Sequence, residues 1–245
     1  MLIVEGLTKS YGKTVACDNL NFALEDGTLT VMLGPNGAGK STAIKSIIGF
    51  LRYNGIITID GHPNKSVEAK RLIGYVPEIP ALYPNLTVSE HLEFVARAYR
   101  LKDYKDWKDL LLRRFQLEDK ARKFGDELSK GMQQKLNICC GLLPKPKIVL
   151  FDEPMIGLDP HAIKELKNIF AEMKQAGATL LVSTHMIDSV DALWDRTLIM
   201  KNGRIAADVT KEYLSGFGKT LEELFFDITE QEAVNISNVN SGDSI

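Results

Sequence analysis

The chain has 245 residues, 44% apolar and 25% charged, with a formal net charge of −2. That length allows one large α/β domain with a small lobe or two modest domains, and the charge balance gives no electrostatic case for nucleic acid. No apolar run approaches the ~20 residues that span a bilayer. The N-terminus, MLIVEGLTKSYG, lacks the basic start, apolar stretch and cleavage site of a signal peptide, so the chain is expected in the cytoplasm. Three cysteines are too few for a disulfide framework, and Cys139 and Cys140, inside an apolar helical stretch, read as core residues.

In chain order, residues 1–31 read as strands: LIVEGLTKSYG, TVACDNLNFAL, a turn at Glu25-Asp26-Gly27, then TLTVML. Asp-Gly between apolar runs is a hairpin signal. TLTVML runs into a glycine-rich loop, STAIKSIIGFL continues as a helix, and a short strand pair follows at 55–61. From about Val88 to Leu143 apolar residues recur at helical spacing, as in Leu92, Val95, Ala96 and Tyr99, then Leu110, Leu111 and Phe115. The charges of this stretch read as a solvated face. Next come strand KIVLFDEP, helix HAIKELKNIFAEMKQAG, strand TLLVSTH, helix MIDSVDALWD and strand RTLIMKNGRIA. Strands alternating with helices predict an α/β fold with a mainly parallel core sheet. No internal repeat is present, and the polar residues 230–245 read as a frayed tail.

Gly34-Pro35-Asn36-Gly37-Ala38-Gly39-Lys40-Ser41 matches the phosphate-loop pattern G-x-x-x-x-G-K-[ST], with a strand before it and a helix after it. The glycines let backbone N–H groups converge on the β- and γ-phosphates. The helix that continues through Thr42 adds its positive end. Lys40 brings a mobile cation, and Ser41 offers a hydroxyl to Mg²⁺. Ile148-Val149-Leu150-Phe151-Asp152-Glu153 reads as a buried strand ending in two acids at the ligand edge of the sheet, beside the phosphate-loop strand. Asp152 is placed to hold Mg²⁺, and Glu153 to act as general base on the attacking water.

Leu128-Ser129-Lys130-Gly131-Met132-Gln133-Gln134-Lys135 resembles the signature motif of ABC ATPases, usually LSGGQxQR. With the phosphate loop and the Asp-Glu pair, the chain resembles the nucleotide-binding subunit of an ABC transporter over roughly residues 1–225. The resemblance implies a P-loop NTPase with an N-terminal antiparallel β subdomain and a helical signature lobe at about 86–143. The whole ATPase domain would then span 1–229. Tyr11 resembles the aromatic that stacks on adenine, with a core tyrosine as the other reading. Asp159, in Gly157-Leu158-Asp159-Pro160, resembles the D-loop aspartate that communicates across a dimer, and His185 the switch histidine on the γ-phosphate. The region from Tyr75 to Glu93 resembles the Q-loop and the surface that receives a membrane subunit. Ser129 and the Gly131 backbone would cover ATP bound by an opposing subunit. The implied partners are a second ABC ATPase and a separate permease, with ATP as substrate and Mg²⁺ as cofactor, at the cytoplasmic face of the membrane.

Three positions depart from the family pattern. Glu78 stands where glutamine is usual, and would approach Mg²⁺ with an added negative charge. Lys130 stands where glycine is usual and Met132 where glutamine is usual. NLTVSEHLEF and LSKGMQQK look closer to bacterial exporter-type ATPases than to importers. The alternative is a soluble ABC ATPase acting on nucleic acid or ribosomes. No heptad run stands between the phosphate loop and the second carboxylate, which argues against the chromosome-type members. A small-molecule P-loop kinase is disfavoured by Glu153 and the LSKGM segment.

Overall fold

The computed structural model of the protein describes residues 1–187, 194–216 and 218–229. The greater part of the helix expected over 186–195 and the tail at 230–245 lie outside them. The chain builds two sheets. β1 (Leu2–Tyr11), β2 (Thr14–Leu24), β4 (Asn54–Ile59) and β5 (His62–Pro63) form an antiparallel sheet in the order β2-β1-β4-β5. The second sheet contains β3 (Leu29–Leu33), β6 (Ile73–Val76), β7 (Ile148–Asp152), β8 (Thr179–Thr184), β9 (Arg196–Lys201) and β10 (Arg204–Thr210). Its order is β10-β9-β3-β8-β7-β6, parallel except for β10.

The two faces of the parallel sheet feed separate cores, as a period of two requires. Val31, Val149, Phe151, Leu180 and Val182 point to one face. There they meet α3 (Val88–Ala98), α4 (Lys105–Arg114), α5 (Lys130–Leu142) and α6 (Pro160–Gln175). Met32, Ile148, Leu150 and Leu181 point to the other face. They pack there with α1 (Lys40–Ile47), α2 (Val67–Leu72) and the antiparallel sheet. A short α7 (Lys211–Gly216) follows β10. Among the described residues no helix is long and apolar enough to cross a membrane.

Several expectations need correction. Asp26-Gly27 is not a hairpin turn, because β2 and β3 belong to different sheets. β3 is buried throughout, whereas β2 is buried on one side, so the two strands suit different layers. The hairpin lies earlier, where Tyr11 pairs with Thr14 across Gly12 and Lys13. RTLIMKNGRIA is two strands, β9 and β10. Asn202 (φ 50°) and Gly203 (φ 76°) take the paired left-handed conformation of a tight hairpin turn. β7 is not adjacent to the phosphate-loop strand, because β8 inserts between them.

The helical stretch divides into α3, α4 and α5. Its predicted apolar faces hold at Leu92, Ala96, Leu111 and Phe115, while Tyr99 and Leu110 face outward. Cys139 is fully buried and Cys140 half-buried. The solvated-charge reading fails at Arg114. Its guanidinium meets Glu165 at 2.9 Å and both oxygens of Glu172 at 2.6 and 2.9 Å, tying α4 to α6.

Candidate functional site

The phosphate loop connects β3 to α1, and its glycines are required by contact as well as by conformation. A Cβ on Gly34 would stand 2.5 Å from the Met200 carbonyl. One on Gly39 (φ 103°) would stand 2.2 Å from the Ala16 carbonyl. Gly39 is the N-cap of α1 and offers no side-chain cap. The first-turn N–H groups are therefore available to an anion. The Lys40 ammonium folds back over the loop, donating to the carbonyls of Gly34 at 2.7 Å and Pro35 at 3.2 Å, and lies 3.5 Å from Glu153 Oε1.

β7 brings Asp152 to this loop although β8 separates the strands. Ser41 Oγ donates to Asp152 Oδ1 at 2.9 Å, and Ser183 Oγ, from β8, donates to the same oxygen at 2.7 Å. Asp152 is fully buried, and among the described residues its Oδ2 has no partner. An ionised oxygen left unpaired in the interior is costly unless a cation or donor meets it. One such carboxylate beside a hydroxyl suits Mg²⁺, which binds through one or two carboxylates together with substrate phosphates. Among the described residues no three His, Cys, Asp or Glu side chains converge as an all-protein metal cage.

Glu153, the next residue, turns the other way. Its φ of 47° is left-handed, a strained setting for a residue with a side chain. Its N–H is held by the Ser183 carbonyl at 3.1 Å and approaches the Ser183 hydroxyl at 3.3 Å. His185 Nδ1 lies 2.9 Å from Glu153 Oε1. The side chain is only 5% exposed and faces a cleft of about 510 Å³. That cleft is lined by Tyr11, Ala16, residues 36–42, Glu78, Glu153, Ile156 and His185. Gly34 is packed beneath it, and Pro35 is exposed beside it. Tyr11 is half exposed, which removes the core-tyrosine reading.

The signature residues are elsewhere. None of Leu128, Ser129, Lys130, Gly131 or Met132 lines the cleft. Leu128 is buried, and Met132 packs against the same core. Ser129 is the N-cap of α5, accepting from the Met132 N–H at 3.4 Å. A Cβ on Gly131 would meet the Gly157 carbonyl at 2.8 Å. Asp159 does not line the cleft either. It caps α6 through the Ala162 N–H at 2.9 Å and pairs with Lys135 of α5 at 2.6 Å. Lys135 foremost, then that N–H, holds its carboxyl below the usual aspartate range.

Sequence reasoning missed four residues around the site. Ser183 supports both acids. Gln134 donates to the Pro154 carbonyl at 3.2 Å, and Asn137 to the Pro77 carbonyl at 2.9 Å. Helix α5 therefore grips the segments that carry Glu153 and Glu78. Polar side chains inside an apolar helix were the available signal. Tyr75 has a buried hydroxyl that is without a partner among the described residues; burial first, then the charges of Asp152 and Glu78, push its ionisation up.

A model of the ABC transporter family matches residues 17–156. The chain belongs to the ABC transporter family as an ATP-binding cassette. The cassette is 37% identical over 242 residues to the "ABC-type transporter ATP-binding protein EcsA" of Bacillus subtilis (strain 168), covering 95% of this chain and 98% of that protein. It is 31% identical to the B. subtilis "SkfA peptide export ATP-binding protein SkfE", covering 85% of this chain and 89% of that protein. Among solved structures, the ATP-binding subunit of an ABC transporter superposes with a TM-score of 0.88 at 37% identity, over 94% of this chain and 99% of that one. The dimeric cassette MJ0796 superposes at 0.78 with 26% identity, over 86% and 98%. The cassette is thus a transport-powering ATPase, and these relatives favour that reading over an ATPase of nucleic acid or ribosomes.

Proposed function

We propose that the cassette hydrolyses ATP with Mg²⁺ in a site completed by a second cassette, and that closure and reopening of the pair drive export through a separate permease at the cytoplasmic face of the membrane. The observation that carries this reading is the division of the site. The cleft holds the phosphate loop, Glu78, Glu153 and His185, with Asp152 buried beneath Ser41, while the signature residues stand outside it. Residues 1–229 would form the ATPase unit, with the lobe at about 86–143 and a polar tail at 230–245.

Tyr11 stacks on adenine, since the base needs only a π-face. The loop from Gly34 to Thr42 cradles the phosphates with its N–H groups, and Lys40 turns from the loop carbonyls to the β- and γ-phosphates. Ser41, Asp152 and Glu78 are the residues that would hold Mg²⁺, which supplies charge neutralisation at the β- and γ-oxygens. Glu153 accepts a proton as water oxygen bonds to the γ-phosphorus and the bond to the β–γ bridging oxygen breaks. His185 orients Glu153 and contacts the γ-phosphate. From the partner, Leu128 anchors the motif, Ser129 and the Gly131 N–H cover the γ-phosphate, Lys130 and Met132 flank them, and Asp159 lies at the seam.

Export is supported by the relative SkfE, named for peptide export, and transport by SrtF of Streptococcus pyogenes, named for lantibiotic transport. A permease surface is supported by exposed apolar groups after β6. Ile79 is 77% exposed, and Tyr83 and Phe94 stack edge to face at 5.4 Å while half exposed. Glu153→Gln tests the core of the reading. It should keep ATP binding, sediment as a dimer with ATP and lower phosphate release by about 10²–10⁴-fold. Unchanged hydrolysis would refute the base assignment.

A further inference from the structure

Glu78 stands where electrostatics argues against a carboxylate. It lines the phosphate cleft with Glu153, and its charge and that of Asp152 both act on the Tyr75 hydroxyl. The buried Lys40 ammonium is already shared among Gly34, Pro35 and Glu153. A triphosphate entering this cleft adds like charge close to Glu78, at an energy that grows as water is excluded.

A second anomaly has the opposite sign. Lys130 is the first residue of α5, where the positive end of the helix dipole disfavours a cation. Among the described residues neither charge is compensated. Glu78 and Lys130 are both exposed, and among the described residues neither has an ion-pair partner. Toward the chain's own groups each breaks a local rule without a local gain; the Mg²⁺ proposed above would meet Glu78 on its phosphate side only, which directs attention to a partner outside the chain.

We propose that Glu78 of one cassette and Lys130 of the opposing cassette form a charge pair across the closed seam. Lys130 is then a positioning residue that sets how tightly the ATP-bound dimer closes. The inference rests on the two-cassette reading above. It assigns Lys130 to Glu78 rather than to the phosphate itself.

The test uses the full chain carrying Glu153→Gln, so that ATP persists, and reads the dimer dissociation constant by sedimentation with ATP. Lys130→Gln should raise that constant at least about tenfold, the order measured for close interfacial charge pairs. Adding Glu78→Gln should restore it to within about threefold, because the carboxylate that needed compensation is gone. The Lys130 effect should also shrink as salt rises. An equal loss in both backgrounds would place Lys130 on the phosphate and overturn the pair. So would the absence of any loss on Lys130→Gln. A Glu153→Gln chain that stays monomeric with ATP would instead overturn the two-cassette reading, and the pair with it. Equilibrium dialysis of ATP onto monomer, unchanged by Lys130→Gln, separates closure from nucleotide affinity.

Discussion

Asp152 and Glu153 end a strand buried along its whole length, whereas Ser129 and Lys130 begin a helix from an exposed corner. The first pair is held by hydrogen bonds from α1 and β8. The second has one long side-chain cap bond and is exposed. On the function proposed above both regions serve the same phosphate chemistry, yet only the first is finished within the chain. A group that must act on charge needs a dry, pre-organised setting, which the sheet edge provides. A group that must meet another molecule has to remain outside its own core.

Substitutions can separate the two regions. Gly39→Ala should have the largest effect. It combines a left-handed backbone strain of about 1–3 kcal/mol with a Cβ 2.2 Å from a β2 carbonyl. ATP affinity should fall at least about tenfold and thermal stability should drop, seen by dialysis and by melting. Retained affinity would contradict the tight approach of the loop to β2.

Ser183→Ala should be next. It removes the donor to Asp152 Oδ1 at 2.7 Å, a buried bond to a charge worth about 1.5–3 kcal/mol. Denaturant unfolding should register that loss, together with a weaker dependence of ATP binding on Mg²⁺. A variant as stable as the parent would mean that Asp152 is supported some other way.

Ser129→Ala, on the lobe side, should cost only about 1 kcal/mol through the lost cap and leave monomer ATP affinity unchanged, while dimer-dependent turnover falls. Equal losses of affinity and turnover would erase the distinction between the regions.

The smallest effect concerns pH. The Asp159 carboxyl is held low by Lys135, so its contribution is full above the ordinary aspartate value of about 4 and is lost as pH falls through the lowered value. The carboxylate is half exposed and screened although Lys135 is buried, so less than about 1 kcal/mol is at stake. The stability difference between the parent and Asp159→Asn should therefore be present at pH 6 and shrink as the pH falls below the ordinary aspartate range. A difference that persists there would assign it to the α6 cap alone.

Much of the active edge was legible from residues alone, because phosphate chemistry demands particular side chains at short spacing. Gly34 to Ser41 must be contiguous to form a cradle, and on the proposed reading the adjacent Asp152 and Glu153 would serve metal and water separately. The mainly parallel sheet was legible for a similar reason: buried runs such as IVLF and LLVS alternate with helical spacing. The strand order was not. Asp26-Gly27 carries the local chemistry of a hairpin, yet β2 and β3 enter different sheets because their burial differs. Tertiary packing alone placed Ser183 under both acids, laid Gln134 and Asn137 against the loops they support, and committed Asp159 to Lys135 within the chain. These contacts join residues 20 to 60 positions apart, and no local pattern encodes such distances. Residue type fixes what a group can do chemically, but which groups meet is decided by how the buried faces of distant elements close together.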